Sequence, residues 1–165
     1  MQVNQEVRCN QCHFRYDLVM ELQRFFPYRL AVLAEVVSQS VAKVYGERFG
    51  LTRDEWRVLA ALADCGTVKT SRVIEHTTLE KMQVSRAVTR MEQGGLVERL
   101  PDPDDGRGWL LRLKPAGRAL YQKMVPVVEA REQFLLDALD ATERAAFDQA
   151  LSKLLDRARL LAAQG

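Results

Sequence analysis

"LEKMQVSRAVTRMEQGGLVERLPDPDDGRGWLLRL", residues 79–113, carries two patterns in succession. At 100° per residue its first half puts Val84, Ala87, Val88 and Met91 on one helical face. The opposite face collects Met82, Gln83, Arg86, Thr89, Arg90 and Gln93, with Lys81 and Ser85 at its margin. Glu80 and Glu92 stand away from the centre of that face. A solvated helix usually interleaves signs through i,i+4 pairs. This one presents cations, amides and hydroxyls, the groups that engage phosphates and base edges. The Gly94–Gly95 pair then stops the helix. "VERL" and "WLLRL" follow as strand-like runs around a tip of Pro, Asp and Gly, which is the pattern of a β-hairpin. Its turn can hold Arg107 out in solvent, with Asp105 two residues back able to orient it.

Working backwards, "TSRVIEHT" (70–77) suits a short helix, and a tight turn at Thr78–Leu79 joins it to the helix just described. Two helices in that relation make a helix-turn-helix, and a hairpin directly after the recognition helix is a wing. A wing tip reaches the neighbouring minor groove, whose negative potential attracts a single inserted arginine. The candidate DNA contacts are therefore Thr70, Ser71, Lys81, Met82, Gln83, Ser85, Arg86, Arg90, Asp105 and Arg107.

Long helices flank this centre. From Pro27 to about Phe49, Leu30, Leu33, Val37, Val41 and Val44 form one apolar stripe, and a shorter helix near 14–25 is expected before it. Thr52 with Glu55 is a capping-box pattern opening a helix that stops at Gly66. Pro115 opens another helix, expected to run to about Leu139 with Pro126 as a bend. Asp140 with Glu143 repeats the capping pattern before Phe147, Leu151, Leu154, Leu155, Ala158 and Leu161. These terminal stripes exceed what one small centre can cover, and pairing with the same stripes on a second copy resolves the excess. The expected fold is mainly α with one β-hairpin wing. It is one domain over 1–165: an N-terminal arm (1–13), dimerisation helices (14–50 and 115–165) and a winged helix-turn-helix lobe (52–114).

Composition narrows the class. Hydrophobic residues at 47% and charged residues at 28% describe a globular chain. No apolar run approaches the roughly 20 residues that span a bilayer, and the N-terminus lacks the apolar stretch of a secretory signal. A cytoplasmic protein without a membrane partner is expected. Net charge is +2, so the argument for nucleic acid rests on where the cations sit. With two histidines and no Gly-rich phosphate loop, no catalytic constellation is found, and an enzyme is not expected.

"LTRDEWRVLAAL", "LEKMQVSRAVTRMEQGGLVERLPDPDDGRG" and "LLRLKPAGRAL" together resemble the MarR family of bacterial winged helix-turn-helix regulators, in order over roughly residues 30 to 160. The resemblance implies a homodimer with interleaved terminal helices on a pseudo-palindromic site in double-stranded DNA. It also implies a repressor released by a small aromatic or phenolic acid bound between the dimer helices and the lobe, controlling a catabolic or efflux operon. By the same pattern Arg86 is a recognition-helix contact, and Asp105 with Arg107 is the wing pair. The family often carries Asp-Arg-Arg at the tip; here Gly106 replaces the middle arginine, which removes one phosphate contact. Tyr28 stands about where some relatives carry a peroxide-sensing cysteine.

An aromatic acid needs an apolar slot, a cation and a ring partner. Phe25, Tyr28 and Arg29 on the first long helix, Trp56 on the second and His76 are the candidates, with His13 and Arg15 added from the N-terminal arm. Arg29 lies among apolar neighbours on a helix expected to be largely buried, so it pairs with an internal acid or awaits an anion. "CNQCH" puts Cys9, Cys12 and His13 at metal-like spacing, but a structural zinc site needs four ligands. The other candidates, Cys65 and His76, are far off in sequence and unpaired, so neither metal nor cofactor is expected. Two alternatives remain: a thiol- or metal-responsive regulator using Cys9 and Cys12, and a helical adaptor dimer that binds no DNA.

Overall fold

The computed structural model describes residues 21–164, apart from the side chains of Gly106 and Arg107. The N-terminal arm, with Cys9, Cys12, His13 and Arg15, lies outside the described residues, as does most of the expected helix near 14–25. The chain divides into two units, residues 1–37 and residues 38–165.

Helix α1 (Phe26–Phe49) follows a 3-10 turn at Leu22–Arg24. In the first unit Phe26, Leu30, Leu33 and Val36 are exposed. Arg29, expected on a largely buried helix, is exposed too. Within a single chain its burial cost therefore does not arise.

In the second unit, the remainder of α1 leads through Gly50, with φ of 66°, to α2 (Arg53–Cys65). The Thr52–Glu55 capping box forms as the spacing predicts: Thr52 N donates to Glu55 Oε2 at 2.7 Å, and Glu55 N to Thr52 Oγ1 at 3.3 Å. α2 ends at Gly66, whose φ of 74° is freely open to glycine. Then come β1 (Val68–Lys69), α3 (Thr70–Thr77), α4 (Lys81–Gln93), β2 (Val97–Asp102), β3 (Asp105–Leu113), α5 (Pro115–Leu136) and α6 (Ala141–Ala162). Thr78, with φ of 56°, makes the tight turn between α3 and α4.

The expected hairpin is part of a three-stranded antiparallel sheet in the order β1-β3-β2. Sequence pattern misses β1 because two residues carry no periodicity. It is made by pairing, with Val68 opposite Leu111 and Lys69 opposite Leu110. The core joins α2, α3, α4, the sheet and α5: Val58, Leu59, Leu62, Val73, Val84, Met91, Val97, Leu111 and Met124 are all under 2% exposed. Each contributes about 1.5–3 kcal/mol by leaving water.

α5 stops three residues before the expected Leu139, and Pro126 lies inside it. The Asp140 cap of α6 forms, its carboxylate accepting from Thr142 N and Glu143 N. α6 buries no residue within the chain; Phe147, Leu151, Leu154, Leu155 and Leu161 all stand in solvent. Among the described residues, no helix is long and apolar enough to cross a membrane.

Candidate nucleic-acid interface

α4 divides as its periodicity predicts. Val84, Ala87, Val88 and Met91 are buried, while Lys81, Met82, Ser85, Arg86, Thr89, Arg90 and Gln93 are exposed. Gln83 also serves the helix start, its Oε1 accepting from Glu80 N at 2.9 Å. That leaves its amide N–H groups as the part able to reach outward.

Two concavities gather the candidates. Gln83, Arg86, Ala87 and Arg90 meet Thr52 and Asp54 from the start of α2 around about 260 Å³. On the other side of the helix, Lys81, Ser85 and Val88 meet Thr70, Arg99, Trp109 and Leu111 around about 140 Å³. Ser71 is exposed beside Thr70 at the start of α3. Arg90 is partly committed, with Nη1 4.0 Å from Oε1 of the buried Glu55. Thr89 is engaged as well, its Oγ1 accepting from Arg99 Nη2 at 3.0 Å, while Arg99 Nε lies 3.4 Å from Glu92. Arg99 and Trp109 are residues the sequence reading missed. They join the cluster only because β2 and β3 fold back beside α4, which no helical period records.

The wing is anchored by Asp102, an acid at the end of β2. Asp102 is 5% exposed; its Oδ1 accepts from Asp104 N at 3.0 Å and its Oδ2 lies 2.8 Å from Lys69 Nζ. The hydrogen bond from Lys69, then that from the Asp104 backbone, hold the Asp102 carboxyl below its ordinary pKa. The same bond holds the Lys69 ammonium above its ordinary value. Asp102 therefore stabilises the fold above its unfolded pKa and loses that contribution as pH falls through the depressed folded value. Lys69 contributes below its unfolded pKa and loses it as pH rises through the raised folded value. The bond from β1 to the wing thus persists across the whole neutral range. Asp105 is exposed at the start of β3, and the Arg107 side chain lies outside the described residues.

A separate cavity of about 480 Å³ lies in the second unit, lined by Trp56, Arg57, Ala60, Ala61, Asp64, His76, Thr77, Thr78 and Tyr121. Trp56 stacks between Tyr45 and Tyr121, at centroid distances of 6.0 and 5.9 Å. Trp56 and His76, both expected at a ligand site, thus share one cavity. Its cation is Arg57, a residue the sequence reading did not single out; Nη1 donates to Thr78 Oγ1 at 3.5 Å. Of the other candidates, Phe25 and Arg29 are exposed and Tyr28 half-buried in the first unit. Cys65 and His76, distant in sequence and unpaired there, stand together with Asp64, their ligand atoms within 4.8 Å of one another. The end of α2 and the end of α3 converge, which sequence spacing does not reveal.

The MarR family model matches residues 49–108. The transcriptional repressor NicR of Pseudomonas putida is 30% identical over 106 residues, 64% of this chain and 67% of that protein. BpsR of Bordetella bronchiseptica, whose DNA binding is regulated by 6-hydroxynicotinic acid, is 29% identical; the match covers 76% of this chain and 98% of that one, with a TM-score of 0.66. A MarR family transcriptional regulator from Silicibacter pomeroyi is 32% identical over 83% of this chain and 97% of that one, with a TM-score of 0.71.

Proposed function

The chain belongs to the MarR family of winged-helix transcriptional regulators, and from that premise we propose that it is a homodimeric, ligand-released repressor in the cytoplasm that binds a pseudo-palindromic site in double-stranded DNA. The observation that carries this reading is the outward face of α4, with Lys81, Ser85, Arg86 and Arg90 exposed around a helix whose inner face is fully buried. In this reading α4 enters the major groove, where Arg86 reads base edges and Thr70, Ser71 and Lys81 hold phosphates. Arg107, oriented by Asp105, enters the adjacent minor groove.

Arg86→Ala is expected to cost operator affinity about 1–3 kcal/mol, roughly 5- to 150-fold, in fluorescence anisotropy at fixed salt. Wild-type affinity in that variant would take base reading away from Arg86, and the absence of salt-dependent binding of duplex DNA by the wild-type chain would reject the reading and favour a helical adaptor that binds no DNA.

The Trp56–Tyr121 cavity supports an aromatic carboxylic acid as the releasing ligand. Its volume lies within the range of small-molecule sites. Trp56 and Tyr121 offer aromatic surface, Arg57 a guanidinium for the carboxylate, and His76 and Thr77 polar atoms for a ring substituent. A ligand that binds one arrangement of the lobes better than the other couples to DNA by about 1–3 kcal/mol. Acids that raise the melting temperature are expected to weaken operator binding by a corresponding 5- to 150-fold. Arg57→Ala should leave operator affinity intact and abolish that response. An unaltered response in Arg57→Ala would move the anion site elsewhere.

A further inference from the structure

Asp64, Cys65 and His76 form a cluster outside the DNA-binding surface, and it shares Asp64 and His76 with one wall of the aromatic cavity. His76 Nε2 lies 3.1 Å from Asp64 Oδ2, and Cys65 Sγ 3.9 Å from the same carboxylate oxygen. Around a tetrahedral zinc ion, bonds of about 2.0–2.3 Å put neighbouring donor atoms roughly 3.3–3.8 Å apart. Two of the three separations are already near those values, and the donors come from two elements, so a small side-chain adjustment closes the set. Among the described residues this is the one such group of His, Cys and acidic side chains. Cys65 is the last residue of α2, and His76 lies in the last turn of α3. Both residues thus belong to C-terminal helix ends, which carry partial negative charge.

We propose that Asp64, Cys65 and His76 bind a divalent zinc-like ion that clamps the end of α2 to the end of α3, with water in the fourth position. One thiolate, one imidazole and one carboxylate form a borderline-soft set that suits zinc or cobalt and does not suit magnesium or calcium. On binding, the Cys65 thiol proton passes to solvent as the sulfur–metal bond forms. His76 gives up its bond to Asp64, coordinates through Nε2 and carries its ring proton on Nδ1. The two anionic ligands balance the dication. Asp64 and His76 also line the aromatic cavity, so an occupied site changes one wall of it. Metal binding does not depend on the DNA or organic-acid readings and is measured without either.

The test is titration of the full-length reduced chain with cobalt(II) and, in competition with a chromophoric chelator, zinc(II). The variants are Cys65→Ser, His76→Gln and, for the N-terminal arm, Cys9→Ser with Cys12→Ser. One cobalt per chain is expected, with a near-ultraviolet thiolate charge-transfer band that Cys65→Ser removes and the arm variant retains. His76→Gln should weaken zinc by roughly tenfold or more, a loss that even a supporting partner can cause. Zinc should raise the wild-type melting temperature and leave that of Cys65→Ser unchanged. Melting of the metal-free variants verifies that each is folded. A thiolate band that survives Cys65→Ser, metal binding that follows Cys9 and Cys12, or no binding at micromolar metal would each overturn the assignment.

Discussion

A chain carrying Leu154→Glu and Leu161→Glu is expected to scatter light as a monomer and to bind its operator about 10²–10⁴-fold more weakly than wild type. The two leucines are seven residues apart on one face of α6, exposed at 46% and 65% within the single chain. A helix with no buried residue and an apolar stripe of that length is not stable as a solvated surface. A second copy covers it in the dimer proposed above, and burying two carboxylates in such an interface costs several kcal/mol each unless they are paired. The lobe itself should survive. Neither side chain packs in its core, so circular dichroism and the melting of the isolated variant should report folded helix. DNA affinity falls for a different reason. A dimer engages its second half-site as an intramolecular event, and a monomer forfeits that effective concentration. If the double variant remains a dimer, α6 is not the interface.

The second large effect falls on stability. Gly117→Val is expected to lower stability by about 1–3 kcal/mol or more, and the melting temperature by roughly 5–10 °C, whereas Ala116→Val changes it by less than about 1 kcal/mol. Gly117 is buried in the first turn of α5, and a Cβ there would collide with the carbonyl oxygen of Leu96. That oxygen already accepts from Lys114 N at 2.9 Å, so backbone, not a yielding side chain, stands in the way. The close approach seats α5 on the strand leading into the wing, and Met124, two turns further along on the same face, is fully buried. Ala116 is exposed beside it and meets only the modest helix penalty of a β-branched residue. Differential scanning calorimetry decides it: a Gly117→Val melting point within about 2 °C of wild type would contradict this packing.

What the sequence alone determined about this protein is the set of features whose causes are local. The buried and exposed faces of α4 follow from helical period. The starts of α2 and α6 follow from Thr52–Glu55 and Asp140–Glu143, and the stop of α2 from Gly66, because each rests on hydrogen bonds or dihedrals within a turn. The order of helix, Gly-Gly and hairpin was enough to expect a wing. Tertiary structure decided everything that depends on chain return. β1 exists because Val68 and Lys69 meet β3; by themselves they carry no strand signal. Asp102, one of three carboxylates at a polar tip, became buried because Lys69 lies 33 positions earlier in the chain yet 2.8 Å away. Arg57 and Tyr121 were ordinary residues on two helices until folding placed them around one cavity. Cys65 and His76 looked unrelated for the same reason: their proximity depends on how α2 and α3 cross. The spacing of residues along a chain encodes a helix's own periodicity and caps, and it carries no record of where two helices converge.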